Sequence, residues 1–139
     1  MARALVDTGA IVALINRADR HHAGALAWFS SFRGELLTTE AVITETAYVL
    51  AASRAHQLAA LAWVQRARSA RLLAVEPVTD HAAVAAILER YSNLSCDYAD
   101  ATLIALAERT SVCAIATIDQ RDFSVYRINR RKRFRILLR

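Results

Sequence analysis

The sequence predicts an α/β protein of three layers, α/β/α, with helices on both faces of a mainly parallel sheet of four or five strands. Three observations lead there. Short apolar runs stop abruptly at polar residues, as buried strands do: Ala4–Val6 before Asp7, Leu72–Val75 before Glu76-Pro77, and Val112–Ala116 before Thr117-Ile118-Asp119. Between such runs lie amphipathic stretches of helical period, usually in pairs, and strands separated by helices pair in parallel. The composition agrees. The chain has 139 residues, 55% of them hydrophobic, with three Gly and one Pro, which is enough for a sizeable core and too apolar for disorder. Residues 1–139 read as one domain without repeats, linkers or low-complexity segments.

The elements follow in order. After the first strand, Ala10, Ile11, Leu14 and Ile15 mark a helix, so Asp7 stands at the carboxyl end of a central strand, where open α/β sheets keep their active sites. Asp19 to Phe32 reads as a second helix, with Ala25, Trp28, Phe29 and Phe32 on one face. His21 and His22, adjacent in sequence, cannot face one metal from that helix and read as surface or helix-start residues. Gly34 breaks the pattern, Leu36–Thr38 is a minimal strand, and Thr38 or Thr39 caps a third helix with Glu40 in its first turn. Val42, Ile43, Thr46, Ala47 and Leu50 form its apolar side, and Glu45 lies among them. From His56 to Arg68 a helix is apolar nearly all round, through the stripes Leu58/Leu61/Ala62 and Ala60/Trp63/Val64/Ala67. Two apolar faces suggest packing on the domain and on a second copy, hence a homodimer.

After the strand at Leu72–Val75, Thr79 is expected to cap a helix that runs to Arg90, and residues 91–95 read as loop. In the helix Asp97–Arg109, Asp100, Leu103, Ile104 and Ala107 share one face. A carboxylate on an apolar face is costly unless a cation or strong donors meet it. Asp97, one turn earlier, either caps the helix or joins the same cluster. Gln120–Phe123 reads as a short helical turn with Asp122 solvated. Arg127 to Arg135 holds six basic residues and reads either as a solvated loop or as a phosphate-contacting edge, Arg130, Arg131 and Arg133 being the candidate nucleic-acid phosphate contacts. Arg135–Leu138 is expected as the final strand, at a sheet edge.

The formal charge is +5, and Lys132 is the only lysine among 18 basic residues. Arginine suits bidentate phosphate recognition, although coding bias also raises its content. Cys96 and Cys113 are isolated thiols that read as small core residues. No apolar run is long enough to span a bilayer, and Asp7 interrupts any signal-peptide pattern, so a cytoplasmic protein without membrane association is expected.

Asp7 and Asp119 end strands, while Glu45 and Asp100 lie near the starts of helices, so all four can converge on one rim. Clustered carboxylates repel one another unless cations neutralise them, and oxygen-only donors select Mg²⁺ or Mn²⁺ over zinc. Thr8 and Thr117 can add hydroxyl hydrogen bonds at the same rim. Such a site suits phosphodiester hydrolysis. Asp7 and Asp100 are the expected direct metal ligands, with Asp97 a less firm one. Asp119 would hold a second ion or act through water, and Glu45 would orient a water or accept a proton. No protein nucleophile is evident, since there is no GxSxG and no paired Cys and His.

Four stretches carry a family resemblance: Leu5-Val6-Asp7-Thr8, Thr44-Glu45, the run from Tyr98 through Asp100 to Ala107, and Thr117-Ile118-Asp119-Gln120-Arg121-Asp122-Phe123. In order and spacing, over essentially the full length, the chain resembles the PIN-domain ribonucleases, specifically the VapC toxins of toxin–antitoxin pairs. That resemblance implies Mg²⁺- or Mn²⁺-dependent endonucleolytic cleavage of RNA, often tRNA or ribosomal RNA. It also implies a homodimer and an antitoxin protein whose tail occupies the acidic groove. The family's acids carry over to Asp7, Glu45, Asp100 and Asp119. The same motifs also fit a non-toxin PIN nuclease and a catalytically silent RNA-binding module. Two further readings are weaker. Leu5-Val6-Asp7-Thr8-Gly9-Ala10 matches the aspartic-protease signature, but that fold is all-β, and a helix follows Gly9 here. A phosphoacceptor receiver domain wants a Lys on a late strand, whereas Lys132 lies in a basic run.

Overall fold

In a computed structural model that describes residues 2–138, the chain forms β1 (Ala2–Val6), α1 (Thr8–Ile15), α2 (His22–Ser31), β2 (Gly34–Thr39), α3 (Glu40–Val49), α4 (Arg54–Ser69), β3 (Leu73–Glu76), α5 (His81–Arg90), α6 (Tyr98–Thr110), β4 (Ala114–Ala116), α7 (Gln120–Val125), β5 (Arg127–Ile128), β6 (Lys132–Arg133) and β7 (Arg135–Ile136). Five strands make one sheet in the order β3-β2-β1-β4-β7, and all four pairings are parallel. The three-layer α/β/α architecture is therefore the expected one. Its central strand explains the apolar run: Ala4, Leu5 and Val6 are wholly buried, because β1 has a strand on each side and helices on both faces.

The order of the sheet places the site. The chain leaves β1 toward β2 and β3, then returns to β4 on the other side of β1. Right-handed crossovers put α1, α2 and α4 on one face and α5 and α6 on the other. Beyond the ends of β1 and β4 the connections diverge to opposite faces and leave a crevice. Asp7 follows β1, and Thr117 to Asp119 follow β4.

Local chemistry accounts for each departure from the expected boundaries. The second helix starts at His22, not Asp19, because residues 16–21 form turns held by Asn16 and Asp19 side chains on the amides of Ala18 and His21. Thr39 caps α3, while Thr38 donates its hydroxyl to the Val6 carbonyl at 2.9 Å. Asp80, not Thr79, caps α5: its carboxylate accepts from the Ala83 amide at 3.0 Å. The basic run is not a loop but a two-stranded hairpin, β5 with β6. The edge strand β7 spans Arg135–Ile136, shorter than expected, and pairs with β4. Gly34 opens β2 at φ 150°, and a Cβ there would lie 2.0 Å from the Ala2 carbonyl oxygen. Only glycine lets the two strands begin side by side.

On α4 one stripe is buried (Ala60, Trp63, Ala67), whereas Leu58 and Leu61 are exposed, as are Tyr48 and Val49 at the end of α3. Cys96 and Cys113 are free thiols, each half-buried rather than in the core. No helix among the described residues is long and apolar enough to cross a membrane.

Candidate active site

An open cavity of about 350 Å³ at the carboxyl end of the sheet is lined by Asp7, Thr8, Glu45, Asp97, Asp100, Asp119 and Asp122, with Gly9, Val49, Ser95 and Ile118. The structure thus brings together the five acids expected there and adds a sixth, Asp122. Three of them are helix N-caps, whose carboxylates accept backbone amides: Asp7 from Thr8 at 2.7 Å, Asp97 from Asp100 at 2.9 Å, and Asp119 from Asp122 at 3.1 Å. The two roles weighed for Asp97 coexist, since it caps α6 and lines the cavity. The N-terminal ends of α1, α6 and α7 consequently face this space, and their dipoles favour negative charge there.

Hydroxyl groups set the carboxylates in place. Thr117 Oγ1 donates to Asp7 Oδ2 at 2.9 Å and accepts from the Asp119 amide at 2.9 Å. Thr8 Oγ1 donates to Glu45 Oε1 at 2.6 Å. Tyr126, wholly buried, donates to Asp100 Oδ2 at 3.0 Å, and Ser95 Oγ donates to Asp122 Oδ2 at 2.8 Å. Gly9 keeps the floor low: a Cβ there would meet Ile118 Cγ1 at 2.5 Å.

This crowding shows in the acidities. Burial pushes the Asp7 carboxyl up to about 6 against the pull of its Thr8 and Thr117 donors, and the charges of Asp119 and Asp97 add to the rise. Burial, then the charges of Asp7 and Asp97, push Asp100 up to about 8, while the Tyr126 hydrogen bond opposes them. Glu45 rises to about 7 through burial and the facing Asp97 carboxylate. Asp119 is raised too, by burial first. A divalent cation would relieve all of these at once. The donor set fits one: Asp100, Asp119 and Asp122 can each present a carboxylate oxygen with all three within 4.8 Å of one another. Asp7 lines the same cavity but stands outside that trio.

A profile of the PIN domain matches residues 4–129. The chain belongs to the PIN-domain family. The crystal structure of Mycobacterium tuberculosis VapC20, a sarcin–ricin loop cleaving toxin, resembles this PIN domain with a TM-score of 0.72 at 25% identity, over 84% of this chain and 90% of the VapC20 chain. No curated protein matches the chain.

Sequence reasoning missed Asp122 and Tyr126 in this PIN domain. Asp122 looks like any acid in a helical turn, and only its neighbour Asp119 at the strand end signals the cavity. Tyr126 gave no signal, for its hydroxyl meets Asp100, 26 residues away, only through tertiary packing. The three candidate arginines of the basic run do not reach the acidic cavity's wall: Arg131 lies beside Ser111 at the far end of α6, Arg133 lies along α7 beside Gln120 and Ser124, and Arg130 is exposed in the hairpin turn.

Proposed function

We propose that this PIN domain is an endoribonuclease, the toxin of a toxin–antitoxin pair, which hydrolyses RNA phosphodiester bonds with Mg²⁺ or Mn²⁺. The observation that carries the reading is the convergence of acids from four separate stretches of chain on one open cavity, three of them able to share a single cation. The VapC20 toxin supports the choice of RNA, tRNA or ribosomal RNA being the expected substrates. In this reading Asp100, Asp119 and Asp122 hold the metal with Asp7 beside them, and Asp97 adds charge from the rim. When bound, the ion neutralises a non-bridging phosphate oxygen and makes a water molecule more acidic.

The chain's own groups do the rest. Glu45 has an acidity near neutrality and is turned by the Thr8 hydroxyl, so it can accept the proton of an attacking water. Thr117 fixes Asp7 and the Asp119 turn together, which keeps the acids in position without an induced rearrangement. The helix ends that face the cavity favour the bound phosphate electrostatically. A cytoplasmic location, an antitoxin tail in the acidic groove, and a homodimer formed through the exposed residues of α3 and α4 complete the proposal.

The test is cleavage of a structured RNA panel. Mg²⁺ or Mn²⁺ should support cleavage, EDTA should stop it, and Asp100→Asn should lower the rate by a factor of about 100 or more. Cleavage that persists in EDTA and in Asp100→Asn would overturn the assignment.

A further inference from the structure

The β5–β6 hairpin splits the basic run into two surfaces, since successive residues of a strand point to opposite faces. Arg131 and Lys132 border a depression with Ser111, Ile128 and Asn129. Arg133 borders a different one, with Gln120 and Ser124. The first depression lies at the C-terminal end of α6, where Ser111 is the left-handed cap. Its polar groups are a hydroxyl, a carboxamide, a guanidinium and an ammonium, and no carboxylate is among its lining residues. That is the donor set of an anion site, and the arginine fork suits a phosphodiester.

The hairpin is anchored rather than loose. Asn129 and Arg130 take left-handed conformations at φ 52° and 65°. The Asn129 amide donates to Glu108 Oε2 at 2.7 Å, and Arg90 Nη1 donates to the same oxygen at 3.1 Å. The Arg127 amide donates to the Tyr91 hydroxyl at 2.8 Å. Glu108 pins the turn while Arg90 balances its charge, so it does not cancel the hairpin cations. Residues 130–133 are exposed, and neither of the two ion pairs among the described residues includes them. The C-terminal end of α6 carries about half a negative charge, less than the two facing cations.

We infer that this depression is a second phosphodiester-binding site, which holds the backbone of a base-paired RNA stem beside the segment that is cleaved. Asp100 and the cap residue Ser111, which lines the depression, are eleven residues apart along α6. That is about 16 Å along the axis, or about five base steps of a duplex strand. A group held there is therefore not the reacting phosphate but one further along the same stem. Contacts of this kind position the RNA and carry no sequence information. The inference rests on the nuclease reading in taking RNA as the ligand and in placing a cleaved segment beside it.

The experiment measures binding without cleavage, in EDTA, by fluorescence anisotropy. Its probes are a labelled stem–loop RNA with a ten-base-pair stem and a labelled six-nucleotide single strand, each across 50 to 200 mM KCl, as order-of-magnitude conditions. The double variant Arg131→Ala/Lys132→Ala should weaken stem–loop binding about tenfold and reduce the salt slope by about 2, with an unchanged melting temperature. The six-nucleotide strand should lose less, because it does not present the regular phosphate row of a stem to the depression. An unchanged stem–loop slope, or an equal loss on the short strand, overturns the site. If the variant behaves as expected but the wild type never cuts RNA with Mg²⁺ or Mn²⁺, the nuclease reading falls and the site stands.

Discussion

Asp100 shows most directly how the proposed activity and stability oppose each other at single residues. Its carboxyl is raised to about 8 in the folded chain, far above its ordinary value of 3.8. The native state therefore binds this proton more tightly than the unfolded state, so stability without metal falls as pH rises from about 4 through about 8. Asp7 and Glu45, raised to about 6 and about 7, act in the same direction. Asp100→Asn should accordingly stabilise the metal-free protein at pH 8 by on the order of 2 kcal/mol and have little effect at pH 4. Thermal melts in EDTA at the two pH values check this, and added Mg²⁺ or Mn²⁺ should recover the loss in the wild type only. Tyr126 makes a second case. Tyr126→Phe keeps the ring packing but removes the donor that lowers the Asp100 pKa. In EDTA the pH-dependent loss of melting temperature should extend to higher pH, and with saturating Mg²⁺ or Mn²⁺ kcat should fall about tenfold with KM nearly unchanged. An unmoved melting profile would show that the hydroxyl serves packing alone. Asp7, Asp100 and Asp119 were legible in the sequence because each breaks an apolar pattern. Asp122 and Tyr126 break none, and their partners come from distant residues: Ser95 for Asp122, Asp100 for Tyr126.

Elements turn these residues toward one another. Three helices begin at the cavity, each capped by an aspartate that also lines it, so helix start and acidic rim are the same residues. Strands need equally specific residues at their ends. Gly34 sits where any side chain would strike the Ala2 carbonyl. Gly34→Ala should cost about 3 kcal/mol, measured by urea unfolding, because both the conformation and the β1–β2 pairing suffer. A loss below 1 kcal/mol would mean that the strand start relaxes freely. Long periodic helices such as α6 could be read from the sequence nearly to the residue. The hairpin could not, for its two-residue strands are too short to show a period, and their arginines give no apolar alternation.

At the scale of the whole molecule, the sheet order decides where chemistry can occur. The chain reverses its direction of travel at β1, and this opens the crevice that the acids fill. The same fold leaves Tyr48, Val49, Leu58 and Leu61 exposed at 80%, 53%, 60% and 48%. Large apolar groups in that state are the proposed dimer contact. Light scattering at micromolar concentration should give twice the 15.4 kDa chain mass, and Leu58→Glu with Leu61→Glu should halve it. A monomeric wild type would remove the dimer from the proposal.

The sequence by itself determined the class of fold, the central strand, the helix of Asp100 and five of the acids that line the cavity. Those features are encoded in local patterns of apolar and polar residues, which solvent alone sorts into inside and outside. Tertiary structure decided the rest: that Asp122 joins Asp100 and Asp119, that a buried tyrosine holds Asp100, and that one basic run faces two ways. Each depends on contacts between residues far apart in the chain, and no local pattern records which of many possible partners a side chain will meet.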